Sequence, residues 1–270
     1  AGLRTWDTAT AYAMGESERI LGSFIAGKRR EDYIISTKFT PQLAQMYDNS
    51  VEKMVEASME RMGIDYIDIY WIHNSADVER WTPGLIPLLR SGKVRRVGVS
   101  NHDLAQLKRA NEILAEAGFR VSAVQNHFSL LYTNSERDGI LDYCKQNGIE
   151  FWGYMVLEQG ALSGKYNTAN PLPADSDRGR KYNPVLPQLQ ALTDELTAIG
   201  KRYGLSCSQT AIAWAMTKGV QPIIGATKPH HVTEAAQVGD SRLTPSEVAA
   251  LERLAAATGI DTRGGWEGKA

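Results

Sequence analysis

The chain has 270 residues, 43% hydrophobic and 23% charged, and its 30 basic and 31 acidic residues leave a formal net charge of −1. This balance offers no broad basic field for nucleic acid, no apolar run reaches the roughly 20 residues that span a bilayer, and the start lacks a signal-peptide layout. We therefore expect one cytoplasmic domain over residues 1–270, with no nucleic-acid or membrane partner.

Short β-branched or aromatic runs alternate with amphipathic stretches along the chain. The predicted strands are residues 3–6, 33–36, 67–72, 94–99, 121–125, 150–154 and 220–224. Between them, apolar residues recur at helical spacing, for example over 51–62 and 104–114. This alternation predicts a parallel sheet covered by helices, which is an α/β fold.

The polar residues near the strand ends favour a barrel, because (β/α) barrels assemble their sites from the carboxyl ends of several strands. A (β/α)8 TIM barrel needs one more strand–helix unit than this sequence supplies. We expect such a barrel lacking its first unit here, with a native N-terminal segment that would provide it. An open sheet, or a sheet completed by another chain, is the alternative.

Two segments stand apart from the alternation. Residues 155–187 carry Gly, Pro, Asp and Arg with little periodicity, which predicts a long loop and a candidate lid. Over 245–270 we expect a C-terminal helix and a tail, because Thr244, Pro245 and Glu247 form a helix start signal before 248–257. Cys144 and Cys207 are far apart and are expected to be reduced packing residues.

Four residues near successive strand ends could together form a site that donates a proton to a carbonyl: Asp7, Tyr12, Lys38 and His73. An ammonium beside a phenol stabilises the phenolate, and a carboxylate keeps the ammonium charged. A histidine can orient a substrate oxygen or share in proton donation. Each residue alone could be structural, as a turn cap, a half-buried aromatic, a solvated lysine or a satisfied histidine. Their recurrence at one sheet edge favours a reaction site.

The motifs around these residues resemble those of the aldo-keto reductase family. They are WDTATAY at 6–12, GESE at 15–18, STKF at 36–39, YWIH at 70–73 and GKVRRVGVSN at 92–101. The resemblance implies a (β/α)8 barrel that binds a nicotinamide cofactor without a Rossmann G-x-G-x-x-G motif, which is absent from the sequence. It also implies that Asp7, Tyr12, Lys38 and His73 form the catalytic tetrad.

The same resemblance implies where the cofactor binds. The nicotinamide end would contact Ser100, Asn101, Gln125 and Tyr154; the pyrophosphate would lie along Leu157, Gly160, Leu162, Gly164 and Lys165; and the adenosine 2′-phosphate would contact Ile224, Gly225, Thr227, Lys228 and Glu234. A P-loop over 157–165 is excluded by its glycine spacing. Ser100 and Asn101 could instead form a turn and helix cap, Gln125 a solvated strand end, and Tyr154 barrel filling.

One departure from the family pattern concerns the choice of cofactor. His231 stands where an arginine is often found, and a mostly neutral histidine binds a phosphate less firmly than a guanidinium. Ala235 likewise follows Glu234 where asparagine is usual. We expect NADPH, with NADH as the alternative. Adjacent His230 and His231 could hold a metal in principle, but neighbouring side chains on a helix diverge, and no metal is expected.

The sequence thus predicts an NADP-dependent aldo-keto reductase of the alcohol:NADP oxidoreductase type, reducing small-molecule aldehydes or ketones with Tyr12 as proton donor. One alternative is a cofactor-binding regulatory or channel-associated subunit with slow turnover. A second is a lyase or isomerase that uses Lys38 as a Schiff-base amine. A substrate pocket could be walled by Trp6, Phe39, Asn74, Trp81 and Trp266.

Overall fold

The computed structural model describes residues 1–265 and Glu267. The strands are β1 (Thr5–Asp7), β2 (Ile34–Phe39), β3 (Ile67–Ile72), β4 (Val94–Ser100), β5 (Ala123–His127), β6 (Glu150–Tyr154) and β7 (Gln221–Pro222). The α-helices are α1 (Glu16–Ile25), α2 (Val51–Met62), α3 (Val78–Trp81), α4 (Leu85–Ser91), α5 (Leu104–Ala115), α6 (Asn134–Arg137), α7 (Ile140–Asn147), α8 (Asp177–Tyr182), α9 (Leu186–Tyr203), α10 (Cys207–Thr217), α11 (Pro229–Gln237) and α12 (Pro245–Ala256).

The chain divides into two compact units. The N-terminal unit contains Arg4–Asn126 and Asp138–Glu150, together with Glu267. The C-terminal unit contains His127–Arg137 and Phe151–Gly265, together with Ala1–Leu3.

In the N-terminal unit, β1 to β5 pair in parallel and in chain order. The register places Asp7 opposite Ser36, and Lys38 opposite Trp71. β3 is buried along its whole length, as expected for a parallel strand with both faces covered. Parallel pairing in chain order brings the carboxyl ends of these strands to one edge of the sheet.

Local sequence explains why the covering helices and strands form. Ser50 caps the start of α2, because its side chain accepts from the Lys53 N–H, and Gly63 caps the end in the left-handed conformation. Within the sheet, Gly98 allows β3 and β4 to pack closely. A Cβ at Gly98 would lie 2.3 Å from the Trp71 ring, so this position requires glycine.

In the C-terminal unit, β6 pairs in parallel with β7, with Trp152 opposite Gln221. α10 is buried on nearly all sides, and its Trp214 stacks on Phe128 with ring centroids 5.2 Å apart. α12 begins with a capping box between Thr244 and Glu247, so the helix start signal in the sequence is confirmed. No helix in the described residues is long and apolar enough to cross a membrane.

The predicted strands 67–72 and 150–154 coincide with β3 and β6, whereas the others shift at their ends. The segment 155–187 contains the helical turns Glu158–Ser163 and Asn183–Val185 as well as α8, and α9 starts at Leu186. These pieces are too short to show periodicity, and local caps such as Ser176 define them instead. Of the predicted tail, Trp266 and 268–270 lie outside the described residues.

Candidate active site

Lys38 lies at the centre of the candidate site in the N-terminal unit, and its side chain is fully buried. Its Nζ donates to Asp7 Oδ2 at 2.5 Å, to the Thr8 carbonyl at 2.8 Å and to the Tyr12 hydroxyl at 3.4 Å. Burial lowers the pKa of Lys38, but the electrostatic and hydrogen-bonding interactions with Asp7 and Tyr12 outweigh it and the net pKa is raised. The side chain is therefore an ammonium, which disfavours the Schiff-base alternative because that reaction needs the neutral amine.

Asp7 is fixed by two partners besides the lysine. The Ser36 hydroxyl donates to Oδ1, and Gln125 Nε2 donates to the same oxygen at 3.2 Å. Sequence reasoning missed Ser36, although the alternation of side chains along β2 places it on the same face as Lys38.

Tyr12 reaches the lysine from a strained turn. Ala13 and Met14 adopt left-handed φ values of 48° and 52°, and Gly15 follows at 87°. A Cβ at Gly15 would lie 2.7 Å from Arg61 Nε, so the arginine side chain would have to shift, and the positive φ adds a further reason for glycine there. Tyr12 remains 42% exposed although its hydroxyl accepts a hydrogen bond from Lys38.

His73 directly follows β3, and its backbone N–H donates to the Phe39 carbonyl at 2.8 Å. The Nδ1 atom lies 2.9 Å from Thr40 Oγ1, and the ring meets Tyr12 edge-on with centroids 5.7 Å apart. Burial, and then the charge of Lys38, lowers the pKa of His73 to about 3. The imidazole is neutral at pH 7, and because Thr40 occupies Nδ1, Nε2 is the nitrogen available to a substrate. The sequence analysis did not identify Thr40.

Ser100, Asn101 and Gln125 are joined to this tetrad by hydrogen bonds. Asn101 has a left-handed φ of 58°, and its Nδ2 donates to the His73 carbonyl at 2.9 Å and to Ser100 Oγ at 3.2 Å. The capping box of α5 is formed by Asp103 and Gln106, so Ser100 and Asn101 are not needed as its cap. The seven predicted residues of this unit thus form one connected cluster.

The other predicted cofactor residues lie in the C-terminal unit. Tyr154 ends β6 and stacks on His127 with ring centroids 5.5 Å apart. Leu157 leads into the turn Glu158–Ser163, in which Gly160 has a φ of 94°. The Leu162 side chain is fully buried, so only its backbone could contact a ligand, whereas Lys165 is exposed.

The segment before α11 is exposed from Gly225 to Lys228 and follows Ile224. The Thr227 N–H donates to His231 Nδ1 at 3.3 Å, so this nitrogen is already an acceptor. The Glu234 carbonyl accepts from Gln209 at 2.8 Å. The rings of His230 and His231 meet edge-on 4.4 Å apart, and no cluster of three potential metal ligands occurs in the described part of the chain.

The residues that were predicted to line a substrate pocket lie in different environments. Phe39 and Trp81 are buried and pack on each other with centroids 4.9 Å apart, so they belong to the core. Trp6 packs on Phe24 of α1. Asn74 is at the strand-end surface, where its Nδ2 donates to Gln42 at 2.6 Å. Trp266 lies outside the described residues.

Comparison with known proteins shows which family this chain is similar to. Residues 1–256 match the model of the Aldo/keto reductase family. The chain is 32% identical over 271 residues to the chloroplastic pyridoxal reductase of Arabidopsis thaliana, covering 94% of this chain and 73% of that protein.

Two solved structures are similar over most of this chain. The glycerol dehydrogenase of Gluconobacter oxydans gives a TM-score of 0.82 at 26% identity, covering 95% of this chain and 82% of that one. An aldo-keto reductase of Klebsiella pneumoniae in complex with NADPH gives a TM-score of 0.74 at 26% identity, covering 93% and 80%. The predicted (β/α)8 fold class is confirmed, and the described residues supply seven of its strands.

Proposed function

The chain belongs to the aldo/keto reductase family, and we propose that it is an oxidoreductase that uses NADPH to reduce small-molecule aldehydes or ketones to alcohols. The observation that carries this proposal is the arrangement of Asp7, Lys38, Tyr12 and His73. A buried ammonium lies against a phenol hydroxyl, and a neutral imidazole lies beside that phenol. This combination suits donation of a proton to a carbonyl oxygen.

NADPH, when bound, supplies the hydride that the carbonyl carbon accepts. Tyr12 gives its hydroxyl proton to the carbonyl oxygen, so the product is a neutral alcohol. The Lys38 ammonium stabilises the negative charge left on the phenol oxygen, and Asp7 balances the lysine. Tyr12 is 42% exposed, and we assign the return of its proton between turnovers to water.

His73 orients the substrate. Thr40 holds Nδ1, and the neutral ring directs Nε2 towards the carbonyl oxygen. With a pKa lowered to about 3, His73 carries no charge that would compete with Lys38 at neutral pH. The phenol therefore delivers the proton, and the imidazole fixes the direction of the carbonyl.

The polar groups near the tetrad fit a nicotinamide carboxamide. The Ser100 hydroxyl accepts from Asn101, which leaves its hydrogen free to donate to the carboxamide oxygen. Gln125 donates to Asp7 through Nε2, which leaves Oε1 as an acceptor for the carboxamide N–H. Tyr154 would provide the stacking face for the ring.

Two segments of the C-terminal unit suit the phosphates. We assign the pyrophosphate to the backbone of the turn from Leu157 to Gly164, with Lys165 as the cation. The 2′-phosphate is assigned to Thr227 and Lys228 before α11, where the threonine hydroxyl, the lysine ammonium and the positive end of the helix dipole favour an anion. A Cβ on Gly225 would have no heavy atom within 4 Å, so protein packing does not demand this glycine and the space beside it is open.

Replacing Tyr12 by Phe tests the proposal. Turnover with an aromatic aldehyde should fall by about 10²- to 10⁴-fold, the range of a positioned proton donor, while the Kd for NADPH stays nearly unchanged. Tyr33→Phe is the matched control, because Tyr33 lies in the same unit and packs on Phe24 away from Lys38. Undiminished turnover in the Tyr12 variant would exclude the mechanism.

A further inference from the structure

Glu158 is a fully buried carboxylate that the proposed chemistry does not use. Its Oε1 accepts from His127 Nε2 at 2.9 Å, from Thr262 Oγ1 at 3.0 Å and from the Ser129 hydroxyl. Its Oε2 accepts from the Tyr182 hydroxyl at 2.8 Å. Because a carboxylate only accepts, all four neighbours must point their hydrogens at it. We call these five residues the Glu158 cluster.

The backbone around Glu158 is unusually strained. Met155, Glu158 and Gln159 have φ values of 61°, 47° and 54°, and Gly160 follows at 94°. Left-handed non-glycine residues persist only where the surroundings hold them. Among these residues, Glu158 has a side chain that is held by four hydrogen bonds. Arg178 adds a fifth contact by donating to the Gln159 carbonyl at 2.9 Å.

The cluster also supports the tyrosine at the end of β6. The His127 ring, fixed by its bond to Glu158, stacks on Tyr132 at 4.1 Å and on Tyr154 at 5.5 Å between centroids. Both interplanar angles are small, 13° and 25°, so the three rings form a layered stack. The Glu158 carboxylate thus fixes both the turn Glu158–Ser163 and the His127 ring on which Tyr154 stacks.

The remaining partners come from distant parts of the sequence. Tyr182 is the last residue of α8, and Thr262 lies beyond α12 and is itself fully buried. Lys181 reinforces this link, because its Nζ donates to the Thr262 carbonyl at 3.0 Å. The segment around Thr262 is therefore hydrogen-bonded both to Glu158 in the turn and to Lys181 in α8.

We propose that Glu158 is a positioning residue that presets the cofactor turn and the Tyr154 ring before NADPH binds; this rests on the proposed function. A turn already ordered in the free protein loses little conformational entropy on binding, so its affinity is higher. In the described residues, the four hydrogen bonds of Glu158 involve none of the proposed catalytic residues. Its loss should weaken cofactor binding while leaving the chemical step intact.

The test uses Glu158→Gln, which keeps the shape of the side chain but removes the charge that attracts the donors. The Kd and KM for NADPH should rise about tenfold, while kcat at saturating NADPH and the KM for the aldehyde stay within twofold of wild type. In the protein without cofactor, amide hydrogen exchange should increase over residues 157–165, and saturating NADPH should restore protection there.

Glu247→Gln is the matched control. Glu247 lies in the same unit, is 8% exposed, and accepts from Arg202 at 2.6 Å and Tyr203 at 2.7 Å, but it belongs to the start of α12. This variant should leave the Kd for NADPH and the exchange of 157–165 unchanged. If Glu158→Gln does not fold, Tyr182→Phe and Thr262→Val each remove one donor and should shift the same readouts by a few-fold.

Wild-type affinity and wild-type exchange over 157–165 in Glu158→Gln would overturn the inference. So would a rise in exchange of equal size throughout the unit, or an equal rise over 157–165 in the Glu247 variant, because either result indicates a general loss of stability. If the wild-type protein does not bind NADPH, the proposed function fails instead. The exchange of the cofactor-free variants then still decides whether the carboxylate orders the turn.

Discussion

Removing the Lys38 ammonium should separate stability from catalysis in this protein. In Lys38→Met an apolar side chain of similar length takes the place of the lysine stem. The Asp7 carboxylate loses its counter-charge, and the Thr8 carbonyl loses a donor. Ser36 and Gln125 still donate to Asp7 Oδ1 in this variant, but both are neutral donors. Breaking one side of a buried ion pair costs about 3–5 kcal/mol, so we expect a loss of that order in the free energy of unfolding.

Turnover should fall by about 10²- to 10⁴-fold, because the charge that stabilises the Tyr12 phenolate is gone. The double variant Asp7→Asn with Lys38→Met removes the uncompensated carboxylate as well. We expect it to recover more than half of the lost stability and none of the activity. Urea unfolding measures the first effect, and NADPH oxidation with an aldehyde measures the second.

Lys218→Met is the control, since Lys218 is also largely buried and pairs with Glu136 at 2.5 Å and Glu252 at 3.0 Å. It should lower stability and leave turnover unchanged. The reasoning is refuted if Lys38→Met retains normal turnover, or if the double variant regains activity together with stability.

Three histidines provide further tests. Burial, and then Lys38, lowers the pKa of His73 to about 3, and burial lowers that of His102 to about 4, from the usual 6.5. Unfolding restores the higher values, so stability present above pH 6.5 is lost as the pH falls towards 4, by about 1.4 kcal/mol per histidine per pH unit once below about pH 6. Equal urea midpoints at pH 7 and pH 5 would contradict this. His231→Arg should improve the affinity for NADPH relative to NADH about tenfold, because a guanidinium binds phosphate in a bidentate manner; an unchanged ratio of the two Kd values would refute it.

The sequence was most informative where strands end in polar residues. Lys38 and His73 could be placed at one sheet edge because parallel strands in chain order share the direction of their carboxyl ends. The structure brings these residues into contact with Tyr12, as the spacing predicts. A period-2 reading of β2 would also have found Ser36 and Thr40.

Contacts between distant residues were not readable from the sequence. Glu158 meets Tyr182 and Thr262, which lie 24 and 104 residues away, and no local pattern marks such partners. The helical segments within 155–187 were also missed, because they are shorter than the span over which periodicity can be recognised.

The left-handed backbone after Tyr12 was unpredictable for another reason. Ala13 and Met14 have no local preference for this conformation, so only tertiary contacts can impose it. The single signal in the sequence is the glycine at position 15. The structure explains it by a positive φ and by the close approach of Arg61.

The central claim is best tested by titrating the protein with NADPH and with NADH, following tryptophan fluorescence, and then adding an aromatic aldehyde and following cofactor oxidation. We predict saturable binding of NADPH and oxidation of the cofactor that depends on the aldehyde. Binding without turnover, or no binding of either cofactor, would contradict the assignment of this chain as a working carbonyl reductase.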